Sequence, residues 1–286
     1  MNNGGPVRKA PVRLLVGYMI TSVTNQNVKR IVQLNRKSSQ RKKEDVFIAE
    51  GTKMFLEAPE EIIKEVYVAQ SFLDTGRKRE LQEMDVLAKL EKCGYEIVSD
   101  EVFAKMSDTQ TPQGILCIIR QIHYSMEDMA ANDSIPLFLL LENLQDPGNL
   151  GTIMRTGEGA GVSGIIMSRD TVDIYNPKTI RATMGSVYRV PFLYTEDIRD
   201  TIIALKEKGI GVYAAHLKGS KYYDECDYTN PSAFLIGNEG NGLTEETAAI
   251  ADTYIKIPME GKVESLNAAV AAALLMYEGT RQRRRV

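Results

Sequence analysis

The stretch LFLLLENLQDPGNLGTIMRT, residues 137–156, decides the fold. Its first five residues are all apolar, as expected of a strand covered on both faces, and strands of that kind belong to parallel sheets. A Pro-Gly turn follows, and then a helix. Asp146 or Asn149 is the candidate N-cap, with backbone N–H groups left over for an anionic partner. Asn149 and Arg155 are six residues apart, nearly two turns, so they are expected to face one cleft. On spacing alone Arg155 reads better as an ordinary surface arginine.

Downstream of this unit, short apolar runs at 164–167, 211–215, 233–236 and 254–257 alternate with helical stretches, which predicts an open α/β sheet. Upstream, residues 27–119 predict a smaller mixed α/β domain. Val28, Ile31, Val32 and Leu34 recur at helical spacing, strands are expected at 46–49, 66–69, 95–98 and 115–119, and helices start at 52 and span 77–92. The polar, Met- and Asp-bearing stretch before Pro136 reads as a linker. The expected organisation is therefore an extra basic tail over 1–20, a small domain over 21–122, a linker over 123–135 and the main α/β domain over 136–286.

A length of 286 residues suits two cores, and 43% hydrophobic with 26% charged residues is a globular composition. The net charge of −3 argues against a nucleic-acid binder only until the charges are located. No acidic residue precedes Glu44, whereas Lys29, Arg30, Arg36, Lys37, Arg41, Lys42 and Lys43 all do. These seven are the candidate contacts to nucleic-acid phosphates. Arg281, Arg283, Arg284 and Arg285 form a second basic run at the other end. Cys93, Cys117 and Cys226 lack C-x-x-C spacing, so neither a disulfide framework nor a zinc site is expected. That usage fits a reducing cytoplasm. The apolar run 14–20 is too short for a membrane span, and Met19 reads as an alternative start.

Two further motifs carry chemistry. FLIGNEGNGLT, residues 234–244, is an apolar strand breaking into a glycine-rich loop, at the end of a strand where open α/β sheets bind ligands. Glycines there admit close backbone approach, and Glu239 adds a carboxylate. IPMEGKVESLNAAVAAALLMY, residues 257–277, ends in a helix whose Leu266, Ala269, Val270, Ala273, Leu274 and Tyr277 share a face, expected to be buried. Ser265 is placed as its N-cap, which leaves Asn267 as a first-turn carboxamide in need of partners. A third pattern misleads. Gly159, Gly161 and Gly164 match G-x-G-x-x-G, but a helix precedes them and a strand follows, the reverse of a dinucleotide-binding turn.

In this order the three motifs resemble the signatures of the SpoU (TrmH-type) branch of the SPOUT RNA 2'-O-ribose methyltransferases, over about residues 137–280. Residues 49–51 (AEG) and 111–114 (TPQG) resemble the ribosomal-protein-L30e-like substrate-binding domain that often precedes it. The resemblance implies a C-terminal α/β domain with a trefoil knot, its parallel sheet flanked by helices, and a smaller N-terminal α/β domain. It also implies S-adenosyl-L-methionine as cofactor, no metal, and a homodimer formed through the C-terminal domain. Gly237, Ile257 and Leu266, with Gly240 and Met259 in adjoining loops, correspond to cofactor-contacting positions. Asn149, Arg155, Glu239, Ser265 and Asn267 correspond to the catalytic polar residues. Gly157 and Gly159 depart from the family's usual helix formers and are expected to weaken that helix by about 1 kcal/mol each.

A guanidinium with a pKa above ~12 is a poor base at neutral pH. The expectation is therefore that Arg155 stabilises the developing alkoxide and grips a phosphate, while Ser265, Asn267 or a water carries the proton. The expected substrate is RNA, with 23S-type rRNA ahead of tRNA. Two other readings compete: a non-catalytic RNA-binding or ribosome-assembly protein, and a nicotinamide-dependent oxidoreductase. Titration with S-adenosyl-L-methionine against NAD separates the enzyme readings.

Overall fold

The computed structural model of the chain describes residues 19–76, 82–130 and 135–284. Most of the expected N-terminal tail lies outside them, as does Arg285. Two units divide between Gln121 and Ile122.

The first unit is a four-stranded sheet in the order β1-β4-β2-β3, built from β1 (Val46–Glu50), β2 (Ile63–Ala69), β3 (Glu96–Val98) and β4 (Ile115–Arg120). β4 runs antiparallel to both β1 and β2, and β3 is parallel to β2. Helix Gln26–Arg36 starts where Asn25 Oδ1 accepts the Asn27 amide, and helix Asp100–Met106 where Ser99 Oγ accepts that of Val102. The first buries Val28, Ile31 and Leu34, so that the helical spacing read from the sequence becomes one wall of the core. Val102, Phe103 and Met106 of the second complete it against Ile48, Tyr67 and Ile118.

The second unit holds seven strands in the order β7-β6-β5-β10-β8-β11-β9, all pairs parallel. They are β5 (Leu137–Leu141), β6 (Gly164–Ser168), β7 (Phe192–Thr195), β8 (Gly211–Ala215), β9 (Lys221–Tyr222), β10 (Ser232–Ile236) and β11 (Thr253–Lys256). The central strands β5 and β10 are buried along their whole length, which is why both read as unbroken apolar runs. The stretch expected as a linker differs. It carries helix Met126–Ala130, and Met129 is buried against Phe138 and Leu140, so it belongs to the second core.

Helix Pro147–Ala160 packs on helix Pro177–Thr183 and on helix Ala268–Arg283. Gly151 makes the first contact possible: a Cβ there would lie 2.4 Å from Ala182 Cβ and 2.6 Å from the Thr179 carbonyl oxygen. The misleading glycine pattern resolves as helix termination. Gly161 caps Pro147–Ala160 at φ 71° and the chain then enters β6 at Gly164.

The C-terminal helix corrects the expected burial. Ala268, Ala269, Ala272, Leu275, Met276 and Gly279 face inward, whereas Val270, Leu274 and Tyr277 are 49%, 37% and 45% exposed. Both faces are apolar, so hydrophobic spacing alone does not say which one is covered.

Candidate active site

All three motifs end strands or start helices at the same edge of the parallel sheet, where β5 and β10 lie side by side. Asp146, not Asn149, caps the first motif helix: its Oδ1 accepts the Asn149 amide at 2.8 Å, with Pro147 at the first helical position. That leaves the Asn149 carboxamide for other work. Its Nδ2 donates to Glu239 Oε1 at 3.0 Å, and its Oδ1 accepts from Asn267 Nδ2 at 2.9 Å. Asn267 is itself the N-cap of Ala268–Arg283, its Oδ1 accepting the amides of Ala269 and Val270. Here the expected cap at Ser265 is corrected. A carboxamide can accept from helix amides and donate to a neighbour at once, which a serine in that place does less well.

Glu239 is consumed from all sides. Besides Asn149 it accepts the backbone amides of Gln145 at 3.0 Å and Asp146 at 2.9 Å. Burial pushes its carboxyl up, but the bonds from Asn149, Gln145 and Asp146 outweigh it and hold the group below the usual carboxylate range. Such a group stays ionised at neutral pH and has little capacity to take a proton. Its observable action is to fix the 145–149 turn and the orientation of Asn149.

The supporting loop is built to the same purpose. A Cβ on Gly237 would fall 2.2 Å from the Gly242 carbonyl carbon, so the 237–242 loop folds back on itself only with glycine there. Asn238 Oδ1 holds the Gly240 and Asn241 amides, and its Nδ2 reaches the Asn143 carbonyl. Glu142, not singled out in the sequence, is buried at the end of β5 and accepts from the Thr244 amide and hydroxyl and from the Thr247 hydroxyl. Its signal was present in hindsight: a carboxylate directly after an apolar strand has to be satisfied locally.

Arg155 and Ser265 are not brought into this chain of bonds. Arg155 is exposed on Pro147–Ala160, and among the described residues it has no carboxylate partner. Six residues turn a helix through about 600°, one and two-thirds turns, so Arg155 and Asn149 project about 120° apart around the axis. Ser265 is exposed two residues ahead of the Asn267 cap.

Residues 258–266 lie outside regular structure and make no backbone-to-backbone hydrogen bond with the described residues. Ile257, Met259 and Leu266 are half-buried along this segment. Free backbone donors and acceptors beside partly open apolar side chains suit a purine nucleoside with a sulfonium-bearing methionine tail, and so fit S-adenosyl-L-methionine. Among the described residues no group of His, Cys, Asp and Glu is placed to hold a metal ion.

The basic residues divide. Lys29, Arg36, Lys37, Lys42 and Lys43 are exposed. Arg30 is taken up by Glu44 at 2.6 Å and Glu65 at 2.8 Å. Arg41 is 3% exposed and donates to the Leu34 and Asn35 carbonyls at the end of Gln26–Arg36. At the far end Arg281 pairs with Glu278, and Arg283 donates to the carbonyls of Ile135, Pro136, Tyr228 and Asn230. Of the C-terminal run, Arg281 and Arg284 are exposed among the described residues, and Arg281 is the one already paired with a carboxylate.

Residues 136–277 match the SpoU rRNA Methylase family, and residues 25–117 match the MRM3-like substrate binding domain. The 23S rRNA (guanosine(2553)-2'-O)-methyltransferase RlmP of Bacillus subtilis is 32% identical over 90% of this chain and 97% of its own. This chain belongs to the SpoU (TrmH-type) methyltransferase family. An AdoMet-bound rRNA methyltransferase from Sinorhizobium meliloti superposes with a TM-score of 0.77 at 30% identity, over 92% of this chain and 97% of that one. The fold also matches AviRb, a SpoU methyltransferase from Streptomyces viridochromogenes, with a TM-score of 0.77 at 23% identity, over 91% of this chain and 98% of that one. As a SpoU methyltransferase the chain is an S-adenosyl-L-methionine-dependent enzyme of RNA.

Proposed function

We propose that the chain methylates a ribose 2'-hydroxyl in 23S-type rRNA. The observation that carries this reading is the unbroken run of hydrogen bonds Asn267 to Asn149 to Glu239, which ties the three motif loops into one site. The kinship with RlmP, spanning nearly both chains, supports rRNA ahead of tRNA.

When bound, S-adenosyl-L-methionine supplies a methyl carbon on a sulfonium. Gly237, Gly240, Ile257, Met259 and Leu266 are the residues proposed to hold it. The chain's own contribution is alignment, which is a large part of such catalysis. Glu239 orients Asn149, Asn149 orients Asn267, and each amide presents its remaining N–H as a donor to the acceptor nucleotide. Asn267 cannot also take the ribose proton, because its oxygen is occupied by the Ala269 and Val270 amides. That narrows the proton's path to Ser265 or a water, with Arg155 stabilising the alkoxide as it forms.

The N-terminal unit, over about 21–122, is proposed to carry RNA, with Lys29, Arg36, Lys37, Lys42 and Lys43 as its phosphate contacts. The exposed stripe of Val270, Leu274 and Tyr277 supports a homodimer formed through the C-terminal helix. A trefoil knot in the second unit and a cytoplasmic location complete the reading. Among the described residues no helix is long and apolar enough to cross a membrane. The test is methyl transfer from labelled S-adenosyl-L-methionine to 23S rRNA fragments, followed by mapping of 2'-O-methyl positions. A label found on bases, or on no RNA at all, overturns the proposal.

A further inference from the structure

A polyanion has to reach a site that displays two carboxylates, Asp146 and Glu239. Glu239 is covered by its three donors, whereas Asp146 has one oxygen engaged by the Asn149 amide and the other facing Lys178 Nζ at 3.4 Å. Among the described residues, Lys178 is the cation that reaches either carboxylate. Its side chain is 59% exposed and that of Asp146 47%, so the pair is a solvated one and readily exchanged.

The position of Lys178 is nevertheless fixed. It lies in the first turn of helix Pro177–Thr183, whose start is capped by the Asn176 side chain. That helix is locked to the motif helix by the Gly151 contact with Ala182 and Thr179. A Cβ on Gly148 would meet Lys178 Cε at 3.7 Å, so the lysine stem lies along the Pro147-Gly148 turn, beside Asn149. A cation in a first turn opposes the helix dipole, so the lysine does nothing for its own helix. An ammonium has three N–H donors, and among the described residues one of them is used, at long range.

We propose that Lys178 is a substrate-positioning residue, which leaves Asp146 to bind an RNA phosphate flanking the target ribose. This rests on the functional reading above. It makes the lysine a switch of partners at the mouth of the site: it neutralises Asp146 in the free enzyme and the RNA backbone in the complex. It is distinct from Arg155, which lies further along the motif helix.

The experiment compares the full chain with K178Q and K178R, using a 23S rRNA transcript and a salt series. K178Q is expected to raise KM for RNA about fivefold and to make the salt dependence of RNA binding shallower by about 1 in log–log slope. Turnover at saturating RNA, affinity for S-adenosyl-L-methionine and the melting temperature should stay as in the parent, and K178R should recover most of the loss. An unchanged KM and slope, or a loss expressed in turnover or cofactor affinity, overturns the assignment. If the parent chain transfers no methyl to RNA, the functional reading fails by itself. The binding slopes of parent and K178Q still decide the role of Lys178.

Discussion

Asn267 Nδ2 donates to Asn149 Oδ1 at 2.9 Å across 118 residues of sequence, and the same Asn267 caps the C-terminal helix with its oxygen. One carboxamide thus performs a folding task with one end and a catalytic-site task with the other, and the two are separable. N267D keeps a capping oxygen but turns an acceptor toward Asn149. Its melting temperature should stay close to the parent's, while turnover falls by about 10²-fold or more, the scale of losing one positioned donor. N267A should lose both, with a stability cost of about 1 kcal/mol from the missing cap. Thermal melts beside single-turnover methyl transfer separate the two effects.

Glu239 yields a pH prediction. Its folded-state pKa is depressed, so the stability it contributes is present above the ordinary Glu value of about 4.3 and is lost as the pH falls through the lower folded value. Activity between pH 6 and 9 should therefore carry no limb belonging to Glu239. E239Q should place an amide against the Gln145 and Asp146 N–H groups and depress turnover across that whole range without moving any inflection. An inflection in the parent profile that disappears in E239Q would contradict this.

Two glycines of one helix should respond in opposite directions. G151A drives a methyl into Ala182 and the Thr179 carbonyl, and should destabilise by about 1–3 kcal/mol. G159A meets only the Tyr277 hydroxyl, at 2.9 Å, the far end of an exposed side chain. It should gain up to about 1 kcal/mol of helix propensity. Denaturant titration of the two variants checks the sign of each.

The basic residues of the first unit should split the same way. R41A leaves the Leu34 and Asn35 carbonyls without their donor, at a cost of about 1–3 kcal/mol. K42A together with K43A should leave the melting temperature unchanged and weaken RNA binding, more so at low salt.

If the Val270, Leu274 and Tyr277 stripe joins two copies, L274E should yield monomers by light scattering while retaining secondary structure. A parent chain that is already monomeric at tens of micromolar would end that proposal.

The sequence made the central sheet legible because β5, β6 and β10 are buried strands, where an apolar run has few other meanings, and β8 alternates between buried and half-buried residues. β7 and β9 escaped. β7 begins after Pro191 at a sheet edge and buries only its first residue, and β9 is two exposed residues that pair with β11. Among site residues, Asn149, Glu239 and Asn267 stood out as polar residues in motif positions. Which of them caps a helix is a matter of backbone geometry a residue or two either way, and spacing does not resolve it. Arg30, Arg41 and Arg283 show the same limit for charge. A run of arginines looks alike whether its members face solvent or fasten carbonyls.

Arg283 has a practical consequence. Its guanidinium gathers four carbonyls from the segments that lead into β5 and β10, at the opposite edge of the sheet from the motif loops. Trimming the chain just before this residue would strip the hydrogen-bond donors from the base of both central strands. Methyl transfer would then suffer through loosening of the sheet, from a cut made nowhere near the reacting atoms. Affinity tags and fusions are best joined beyond Arg284.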